Sequence, residues 1–172
     1  MVVFRKAEEG DWPVIRQIAY ETWPDTFGHI ITGGQLDYML GLIYSEESIR
    51  NQITDKGHHF ILVKLGDDPI GFVSYENHFN SQPQLMIHKF YLLPVFQGLG
   101  IGTKTLDLLS KIGIESNDCQ LRLKVYHKND KAIGFYEKYG FRNIGTETTD
   151  IGNNYSILDN VMVKPLLSDG SN

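Results

Sequence analysis

The sequence predicts a single α/β (α+β) domain built on one mixed sheet flanked by helices, and three observations lead to this fold class. The chain has 172 residues, a length that fits one domain with an ordinary core. β-rich runs and helical apolar stripes follow one another in the order strand, helices, three strands, helix, strand, helix and two strands. These elements fill residues 1–166 without a linker or an internal repeat, whereas 167–172 has the composition of a disordered tail.

The first part of the chain is predicted to contain one strand and three helices. Residues 2–7 are the strand. Asp11 caps a helix that Pro24 then breaks, because proline lacks the N–H that a helix interior needs. Ser45 caps the third helix, and Gly57 ends it. Between them, a short second helix has apolar residues at helical spacing, at Leu36, Met39, Leu40 and Ile43.

Strands dominate the middle of the chain. "HHFILVKLG" and "IGFVSYENHF" are β-rich and are joined by the turn signal "DDP", so they are predicted to form an antiparallel hairpin. "PQLMIHKFYLLP" is a third long strand that ends at Pro94. The helix that follows has an apolar stripe made of Ile101, Thr105, Leu108, Leu109 and Ile112.

The last part of the chain completes a sheet of seven strands. "CQLRLKVYHKN" is the fifth strand, and "FRNIGTET" and "SILDNVMVKPL" are the final two. Between them Asp130 begins a helix that Gly140 ends. One face of this helix carries Ala132, Phe135, Tyr136 and Tyr139.

Composition and charge exclude several classes of partner and site. The formal net charge is −5, which argues against nucleic acid as the main partner. Cys119 is the single cysteine, so no disulfide forms within the chain and a cytoplasmic location is expected. No apolar run is long enough for a membrane span or a secretory signal. No Cys or His spacing is typical of zinc, so no metal is expected.

The stretch "LPVFQGLGIGTKTL" is the strongest local signal. Its glycines, at 98, 100 and 102, fit neither the Walker A pattern nor the dinucleotide pattern, because threonine stands where each requires glycine. A strand-to-helix turn of this kind still favours an anion, because the first N–H groups of a helix lack intrahelical partners. Taken alone, the pattern also fits glycines that merely ease a tight turn.

A second segment gives the glycine stretch a context. About thirty residues after it comes "NDKAIGFYEKYGF". Together, "FYLLPVFQGLGIG" and this segment resemble the two signature motifs of the GNAT superfamily of N-acetyltransferases, Gln/Arg-x-x-Gly-x-Gly/Ala and N-x-x-A-x-x-F-Y-x-x-x-G-F. The order of elements over nearly the whole chain agrees with that family. "YETWPDTF" and "ILDNVMVK" are also similar to bacterial members that acetylate polyamines or other small amines.

The resemblance implies a fold and a cosubstrate, acetyl-CoA. The fold is a mostly antiparallel seven-stranded sheet whose fourth and fifth strands are paired at one end and splay apart at the other. The backbone of Phe90, Tyr91 and Leu92 would contact the pantetheine arm and the acetyl group. Asn129 would hydrogen-bond the arm or simply cap its helix. The pyrophosphate would lie on the N–H groups of Gln97, Gly98, Leu99, Gly100, Ile101, Gly102 and Thr103.

The chemistry requires a proton acceptor, an oxyanion donor and a proton donor, and it needs no metal. The backbone N–H of Leu92 is the expected oxyanion donor. The resemblance places the Tyr136 hydroxyl near the thioester sulfur, where it would protonate the leaving thiolate. His88 lies on the same strand face as Leu92 and is a candidate base, with Glu76 and His78 on the neighbouring strand as rivals.

The sequence therefore predicts direct acetyl transfer to a primary amine of a small, polyamine-like molecule or of a peptide. A non-catalytic acyl-CoA-binding module on the same fold is the alternative, and retention of Tyr136 argues against it. The sequence does not identify the acceptor, and a homodimer is compatible with it. Four carboxylates on the expected acceptor side are candidates to hold a cationic amine: Asp25, Asp37, Asp150 and Asp159.

Overall fold

A computed structural model describes residues 1–167, which contain seven strands and five α-helices. The strands are β1 (Val2–Lys6), β2 (His59–Leu65), β3 (Asp68–Glu76), β4 (Gln84–Leu92), β5 (Gln120–Tyr126), β6 (Arg142–Gly152) and β7 (Tyr155–Pro165). The helices are α1 (Trp12–Phe27), α2 (Gly33–Tyr44), α3 (Glu46–Thr54), α4 (Ile101–Glu115) and α5 (Asp130–Tyr139). Most of the predicted disordered tail, 168–172, lies outside the described residues.

The sheet is mixed and mostly antiparallel, as predicted. Its strand order is β1-β2-β3-β4-β5-β7-β6. The pairs β1–β2, β2–β3, β5–β7 and β6–β7 are antiparallel, whereas β4 and β5 run parallel. The parallel ladder joins Gln84–Ile87 to Gln120–Leu123, and β4 continues to Leu92 after it ends. This confirms the prediction that the fourth and fifth strands are paired at one end only.

The described residues group into two compact units. The first contains residues 1–76 and 88–105, and the second contains 77–87 and the chain from 106 onward. The first unit has its own fully buried core side chains, among them Ile15, Tyr44, Leu62 and Phe72. The second has its own as well, among them Leu85, Leu106, Leu121 and Met162. The single domain over 1–166 stays a prediction. Within residues 1–167, no helix is both long and apolar enough to cross a bilayer.

Helix α1 continues through Pro24, so the predicted break there is wrong. Pro24 lies in the last turn, where its missing N–H removes one hydrogen bond close to the natural end of the helix. The turn is held by the N–H of Gly28, which donates to the Pro24 carbonyl at 2.9 Å. The rings of Trp23 and Phe27, four residues apart, pack with centroids 4.8 Å apart. This packing stabilises the final turn that the proline weakens.

The predicted hairpin of β2 and β3 forms, but its turn lies earlier than the "DDP" signal. Leu65 pairs with Asp68, so Gly66 and Asp67 are the two loop residues. Gly66 has φ +63°, a conformation that glycine adopts without strain. Pro69 lies within β3 opposite Lys64, next to a register shift where a ladder N–H is dispensable.

Strand β3 ends at Glu76, and the predicted extension through Phe79 is wrong. The buried carboxylate of Asp118 accepts hydrogen bonds from the Asn77 amide at 2.8 Å and from the His78 backbone N–H at 3.2 Å. His78 then takes φ 52°, which turns the chain out of the extended conformation. The polar residues after Glu76 therefore form a turn held by a distant carboxylate.

Strand β6 forms one edge of the sheet. It has eleven residues, pairs with β7, and is exposed along most of its length. Its register with β7 shifts at two places, between Asn143 and Gly145 and between Asp150 and Gly152. Glu147 and Asp150 add two carboxylates to this strand.

Candidate active site

The loop between β4 and α4 has the conformation that its glycines predict. We call residues 97–103 the glycine loop. Gly98 and Gly100 have φ +77° and +75°, in the left-handed region that side chains disfavour. An added Cβ at either position would meet nothing within 4 Å. The backbone conformation, rather than lack of space, is therefore what requires glycine at these two positions.

The glycine loop presents backbone donors at the start of α4. The N–H of Lys104 donates to the Gly100 carbonyl at 3.2 Å. The N–H groups of Ile101, Gly102 and Thr103 precede it in the first turn, where a helix supplies no carbonyl partner. The positive end of the helix dipole lies at the same place. Together with the exposure of Gly98, Leu99 and Gly100, this arrangement suits an anionic group such as a phosphate.

The end of β4 is fixed by hydrogen bonds on both sides of Leu92. The Gln97 side-chain amide donates to the Leu92 carbonyl at 3.0 Å. The N–H of Leu93 donates to the Ile70 carbonyl on β3 at 2.8 Å. Successive N–H groups of an extended strand point to opposite edges, so the N–H of Leu92 points away from β3. The Leu92 side chain is buried with Val63, Ile70 and Ile101, whereas Phe90 and Tyr91 are half-buried.

Gly71 on β3 allows an unusually close approach to this strand end. A Cβ at position 71 would lie 2.6 Å from the Tyr91 carbonyl oxygen and 2.4 Å from a methyl carbon of Leu92. A side chain at position 71 would therefore push the backbone of β4 away from β3. Gly71 therefore helps to set where the backbone of residues 91 and 92 lies.

Three ionisable side chains lie close together, one just before β2, one at the end of β3 and one within β4. We call His58, Glu76 and His88 the histidine cluster. A His88 ring nitrogen, Nε2, lies 2.9 Å from Glu76 Oε2, and His58 Nε2 lies 3.8 Å from the same oxygen. The two imidazole rings are stacked, with centroids 3.7 Å apart and an angle of 14° between their planes. The structure thus joins two of the three predicted base candidates, His88 and Glu76, and adds His58 to them.

Burial controls the charge of this region. It lowers the pKa of His58 to about 3, with the neighbouring His88 adding to the effect, so the His58 imidazole is uncharged. Burial also raises the pKa of the Glu76 carboxyl above its ordinary value. Lys89, next to His88 and with its Nζ 5.7 Å from the centre of the Phe60 ring, has its pKa lowered to about 7 by burial. A hydrogen-bonded imidazole and carboxylate in such surroundings can accept a proton and pass it on.

His78, the third candidate base, has a different partner. Its Nδ1 lies 3.1 Å from Asp118 Oδ1, and its side chain is 58% exposed. The prediction that it lies on a strand beside His88 is wrong, because β3 ends two residues earlier. His78 is thus a turn residue paired with a buried carboxylate.

Helix α5 of the second unit carries the two residues of the second motif. Asn129 caps it, because its side-chain oxygen accepts a hydrogen bond from the Ala132 N–H at 3.3 Å. Tyr136 is buried, and its ring lies 5.3 Å from that of Phe135 and 5.5 Å from that of Phe141. Burial raises the pKa of the Tyr136 hydroxyl, so it stays protonated at neutral pH. Their contacts with the coenzyme stay predictions.

The four acidic candidates for the acceptor side differ in their surroundings. Asp25, Asp37 and Asp150 are exposed. Asp159 is partly buried on β7, and this burial raises its pKa to about 6. The charge of Lys124 lowers the Asp159 pKa, and the charge of Glu147 raises it. Lys124 and Glu147 form an ion pair with each other at 2.6 Å. Asp159 is therefore the one carboxylate of these four that is not exposed.

His58 and Gly71 had no usable signal in the sequence. His58 appeared there only as half of a His-His pair at the start of a strand. The ladder pairs His59 with Tyr75, so one further step places His58 opposite Glu76. That register depends on the tertiary pairing of strands and on the turn at Gly66 and Asp67.

Comparison with known proteins identifies one family over most of the chain. The model of the "Acetyltransferase (GNAT) family" matches residues 12–141. This range includes the glycine loop, the histidine cluster and α5.

The similar proteins are N-acetyltransferases. The spermidine N(1)-acetyltransferase of Thermoplasma acidophilum is 26% identical over 153 residues, which cover 87% of this chain and 93% of that protein. An N-acetyltransferase of uncharacterised role in Lactobacillus delbrueckii subsp. lactis is 26% identical over 140 residues, covering 78% of this chain and 81% of its own. The crystal structure of the PaiA N-acetyltransferase from Thermoplasma acidophilum, in complex with coenzyme A, superposes with a TM-score of 0.80 at 24% identity, covering 96% of this chain and 99% of the other.

Proposed function

The chain belongs to the acetyltransferase (GNAT) family, and from this premise we propose that it transfers an acetyl group from acetyl-CoA directly to a primary amine of a small, polyamine-like molecule or of a peptide. The observation that carries the proposal is the glycine loop, whose left-handed glycines precede the first-turn N–H groups of α4, to which the helix supplies no carbonyl partner. The similar PaiA enzyme was crystallised with coenzyme A, which supports the same class of donor here.

The donor binds through backbone atoms. The pyrophosphate of acetyl-CoA accepts hydrogen bonds from N–H groups of residues 98–103, and the helix dipole favours its negative charge. The Gln97 N–H, which was expected to contribute, donates to the Pro94 carbonyl at 3.2 Å instead. The pantetheine arm and the acetyl group follow the backbone of Phe90, Tyr91 and Leu92. The N–H of Leu92, which points away from β3, donates to the carbonyl oxygen as the tetrahedral oxyanion forms.

The acceptor is activated by the pair of His88 and Glu76. A primary alkylammonium has a pKa near that of lysine, about 10.4, so it must lose a proton before it can attack at neutral pH. The hydrogen-bonded imidazole and carboxylate take that proton and pass it to solvent. The amine nitrogen then attacks the thioester carbonyl carbon and forms the C–N bond.

The intermediate collapses when the C–S bond breaks. The electron pair of that bond goes to sulfur, and Tyr136 gives the thiolate a proton, while the nitrogen loses its extra proton to solvent or to the base. Tyr136 later regains a proton from solvent. This role rests on the place of Tyr136 in the second motif and on burial, which keeps its hydroxyl protonated. The products are the acetylated amide and coenzyme A with a free thiol.

Small amines are the proposed acceptor class. The curated relative from Thermoplasma acidophilum is named for spermidine. A further protein with the same fold, a spermidine N-acetyltransferase SpeG chimera, superposes with a TM-score of 0.68 at 19% identity. The net charge of −5 on this chain suits a cationic substrate.

A panel assay tests the proposal. The protein is incubated with acetyl-CoA and, in separate reactions, spermidine, spermine, a lysine-containing peptide, free amino acids or an aminoglycoside. Coenzyme A release is measured by a thiol reagent, and acetylated product by mass spectrometry. The single exposed Cys119 adds a constant background of one thiol per chain, which a reaction without amine subtracts.

We expect turnover with at least one amine and a product 42 Da heavier, the mass of an acetyl group replacing a hydrogen. Tight acetyl-CoA binding without turnover on any amine would instead favour a non-catalytic acyl-CoA-binding module. Absence of acetyl-CoA binding, measured by calorimetry, would contradict both functions.

A further inference from the structure

The histidine cluster has the composition and the spacing of a three-ligand metal site. Its members come from three separate segments: His58 precedes β2, Glu76 ends β3, and His88 lies within β4. One ligand atom from each residue lies within 4.8 Å of the other two. Two imidazoles and one carboxylate form a donor set that zinc and similar divalent ions accept.

His58 is a partly buried side chain with one buried ring nitrogen that lacks a hydrogen bond within residues 1–167. Its Nδ1 is inaccessible to solvent and has no partner among the described residues. Its Nε2 lies 3.8 Å from Glu76 Oε2, which is beyond hydrogen-bond distance. Buried polar groups are nearly always paired, so an unpaired imidazole requires an explanation. A cation on His58 Nε2, the nitrogen that faces Glu76, would give this imidazole a partner on that side, while Nδ1 stays buried.

The distances between ligand atoms are close to those of an occupied site. Zn–N and Zn–O bonds of about 2.1 Å at tetrahedral angles place neighbouring ligand atoms about 3.4 Å apart. The two separations from Glu76 Oε2, 2.9 Å to His88 and 3.8 Å to His58, lie on either side of that value. Because the two imidazole rings are stacked and their lone pairs lie in the ring planes, one or both rings must rotate about their side-chain bonds to aim at a common ion.

We propose that His58, Glu76 and His88 bind one divalent transition-metal ion of the zinc type, and that the bound ion reversibly inhibits acetyl transfer. The second part rests on the proposed function, in which His88 and Glu76 accept the proton of the amine. A metal bond uses the lone pairs that this step needs. The glycine loop contributes no ligand, so acetyl-CoA binding is expected to be unaffected.

Binding is tested on the protein alone, without acetyl-CoA or amine. The full chain, free of any histidine tag and stripped with a chelator, is titrated with Co²⁺, whose visible absorption reports coordination by nitrogen and oxygen ligands. We expect saturation at one ion per chain and displacement by Zn²⁺. His58→Ala should weaken Co²⁺ binding at least tenfold.

Two further variants keep the test decisive. Glu76→Gln preserves size and removes the charged ligand, so it should also weaken binding even if His58→Ala folds poorly. His59→Ala removes the adjacent, exposed histidine, whose ring faces Tyr75 at 5.2 Å, and should bind Co²⁺ like the wild type. Equal affinity in His58→Ala and His59→Ala, or no saturable Co²⁺ signal in the wild type, would overturn the site.

Inhibition is measured separately, as the ratio of turnover with and without Zn²⁺ for each variant. We expect Zn²⁺ to lower wild-type turnover, a chelator to restore it, and His58→Ala to be at least tenfold less sensitive. Zn²⁺ binding without any change in turnover would leave the metal site in place and overturn the inhibition and the His88 and Glu76 assignment with it. A protein that binds Co²⁺ but acetylates no amine would instead contradict the proposed function.

Discussion

The glycine loop and the histidine cluster lie in the same compact unit but are built in opposite ways. The glycine loop is one contiguous stretch whose backbone supplies the donors, and its shape is set by two left-handed glycines. The histidine cluster joins side chains from three segments that are 12 to 30 residues apart in sequence, since it unites positions 58, 76 and 88. The loop is therefore a local structure suited to a phosphate, and the cluster is a tertiary structure suited to proton transfer. We expect mutations in the two regions to affect different kinetic constants.

The largest effect is expected from His88→Gln. Glutamine keeps a polar side chain but cannot accept the amine proton, so kcat should fall about 100- to 10,000-fold at pH 7, the usual range for one acid–base group. The KM for acetyl-CoA should stay within about twofold of the wild-type value, because the glycine loop that binds the donor contains no residue of the histidine cluster. Steady-state kinetics with spermidine measure both constants.

The pH dependence of this deficit sharpens the test. Near pH 10 the acceptor amine loses its proton without help, so the ratio of wild-type to variant kcat should fall toward one. His59→Gln, a change to the adjacent exposed histidine, is the matched control. A deficit that stays constant up to pH 10 would show that His88 does not act as the proton acceptor.

Tyr136→Phe is expected to have the next largest effect. Tyr136 belongs to a contiguous motif, like the glycine loop, but its proposed role is proton transfer, as in the histidine cluster. Loss of the hydroxyl should lower kcat about 10- to 1,000-fold because the thiolate leaves without a proton. An acyl acceptor assay with acetyl-CoA at saturation measures this. A normal kcat would contradict the proposal that Tyr136 protonates the thiolate and would leave Tyr136 as a core aromatic residue.

Gly100→Ala should weaken acetyl-CoA binding rather than lower kcat. Alanine in the left-handed conformation costs about 1–2 kcal/mol, which corresponds to a 5- to 30-fold weaker affinity if the loop relaxes away from its binding shape. The KM and the calorimetric Kd for acetyl-CoA should rise while kcat stays nearly constant. Gly134→Ala is the control, because Gly134 lies in α5 with open space around it and a normal φ, and alanine should stabilise that helix slightly. A fall in kcat with an unchanged Kd for acetyl-CoA would contradict the conclusion that the glycine loop controls donor binding and the histidine cluster controls kcat.

Asp159→Asn changes a residue outside the glycine loop and the histidine cluster. It should have the smallest effect, a change in melting temperature rather than in a kinetic constant. The folded state raises the Asp159 pKa from 3.8 to about 6, so it binds this proton more tightly than the unfolded chain does. The resulting stability is present below pH 3.8 and is lost as the pH rises through about 6. At pH 7.5, where the buried carboxylate is charged, asparagine should therefore raise the Tm by about 2–4 °C, after allowance for partial exposure. Below pH 4 the two melting temperatures should coincide. Calorimetry at both pH values measures this, and an equal shift at both would exclude titration as the cause.

The sequence predicts the parts of the molecule that local rules control. The alternation of the strands, the Ser45 and Asn129 caps and the glycine turn before α4 follow from residues close together in the chain, and the structure contains them. Pro24 shows where a local rule fails. A proline near a helix end removes one hydrogen bond, and the packing of Trp23 against Phe27 offsets part of that loss.

The parts that depend on strand register were not predictable from one sequence. His58 becomes a neighbour of Glu76 only because β2 and β3 pair with His59 opposite Tyr75. His78 was expected on a strand and lies in a turn, because the buried carboxylate of Asp118, forty residues away, holds the turn. Each case depends on a contact between distant residues, which neither periodicity nor spacing contains.

The edge strand β6 has a consequence for how the protein behaves at high concentration. A long edge strand, such as this one of eleven residues, is a template on which a second chain can add a strand. Its two register shifts interrupt that template, and the net charge of −5 on the chain opposes the approach of a second copy. Acidification reduces this net negative charge, so the protein should remain dispersed in neutral, low-salt buffer and begin to assemble through β6 as the net charge approaches zero. Light scattering during an acid titration would detect that onset, and a lysine at exposed Ile144 should delay it.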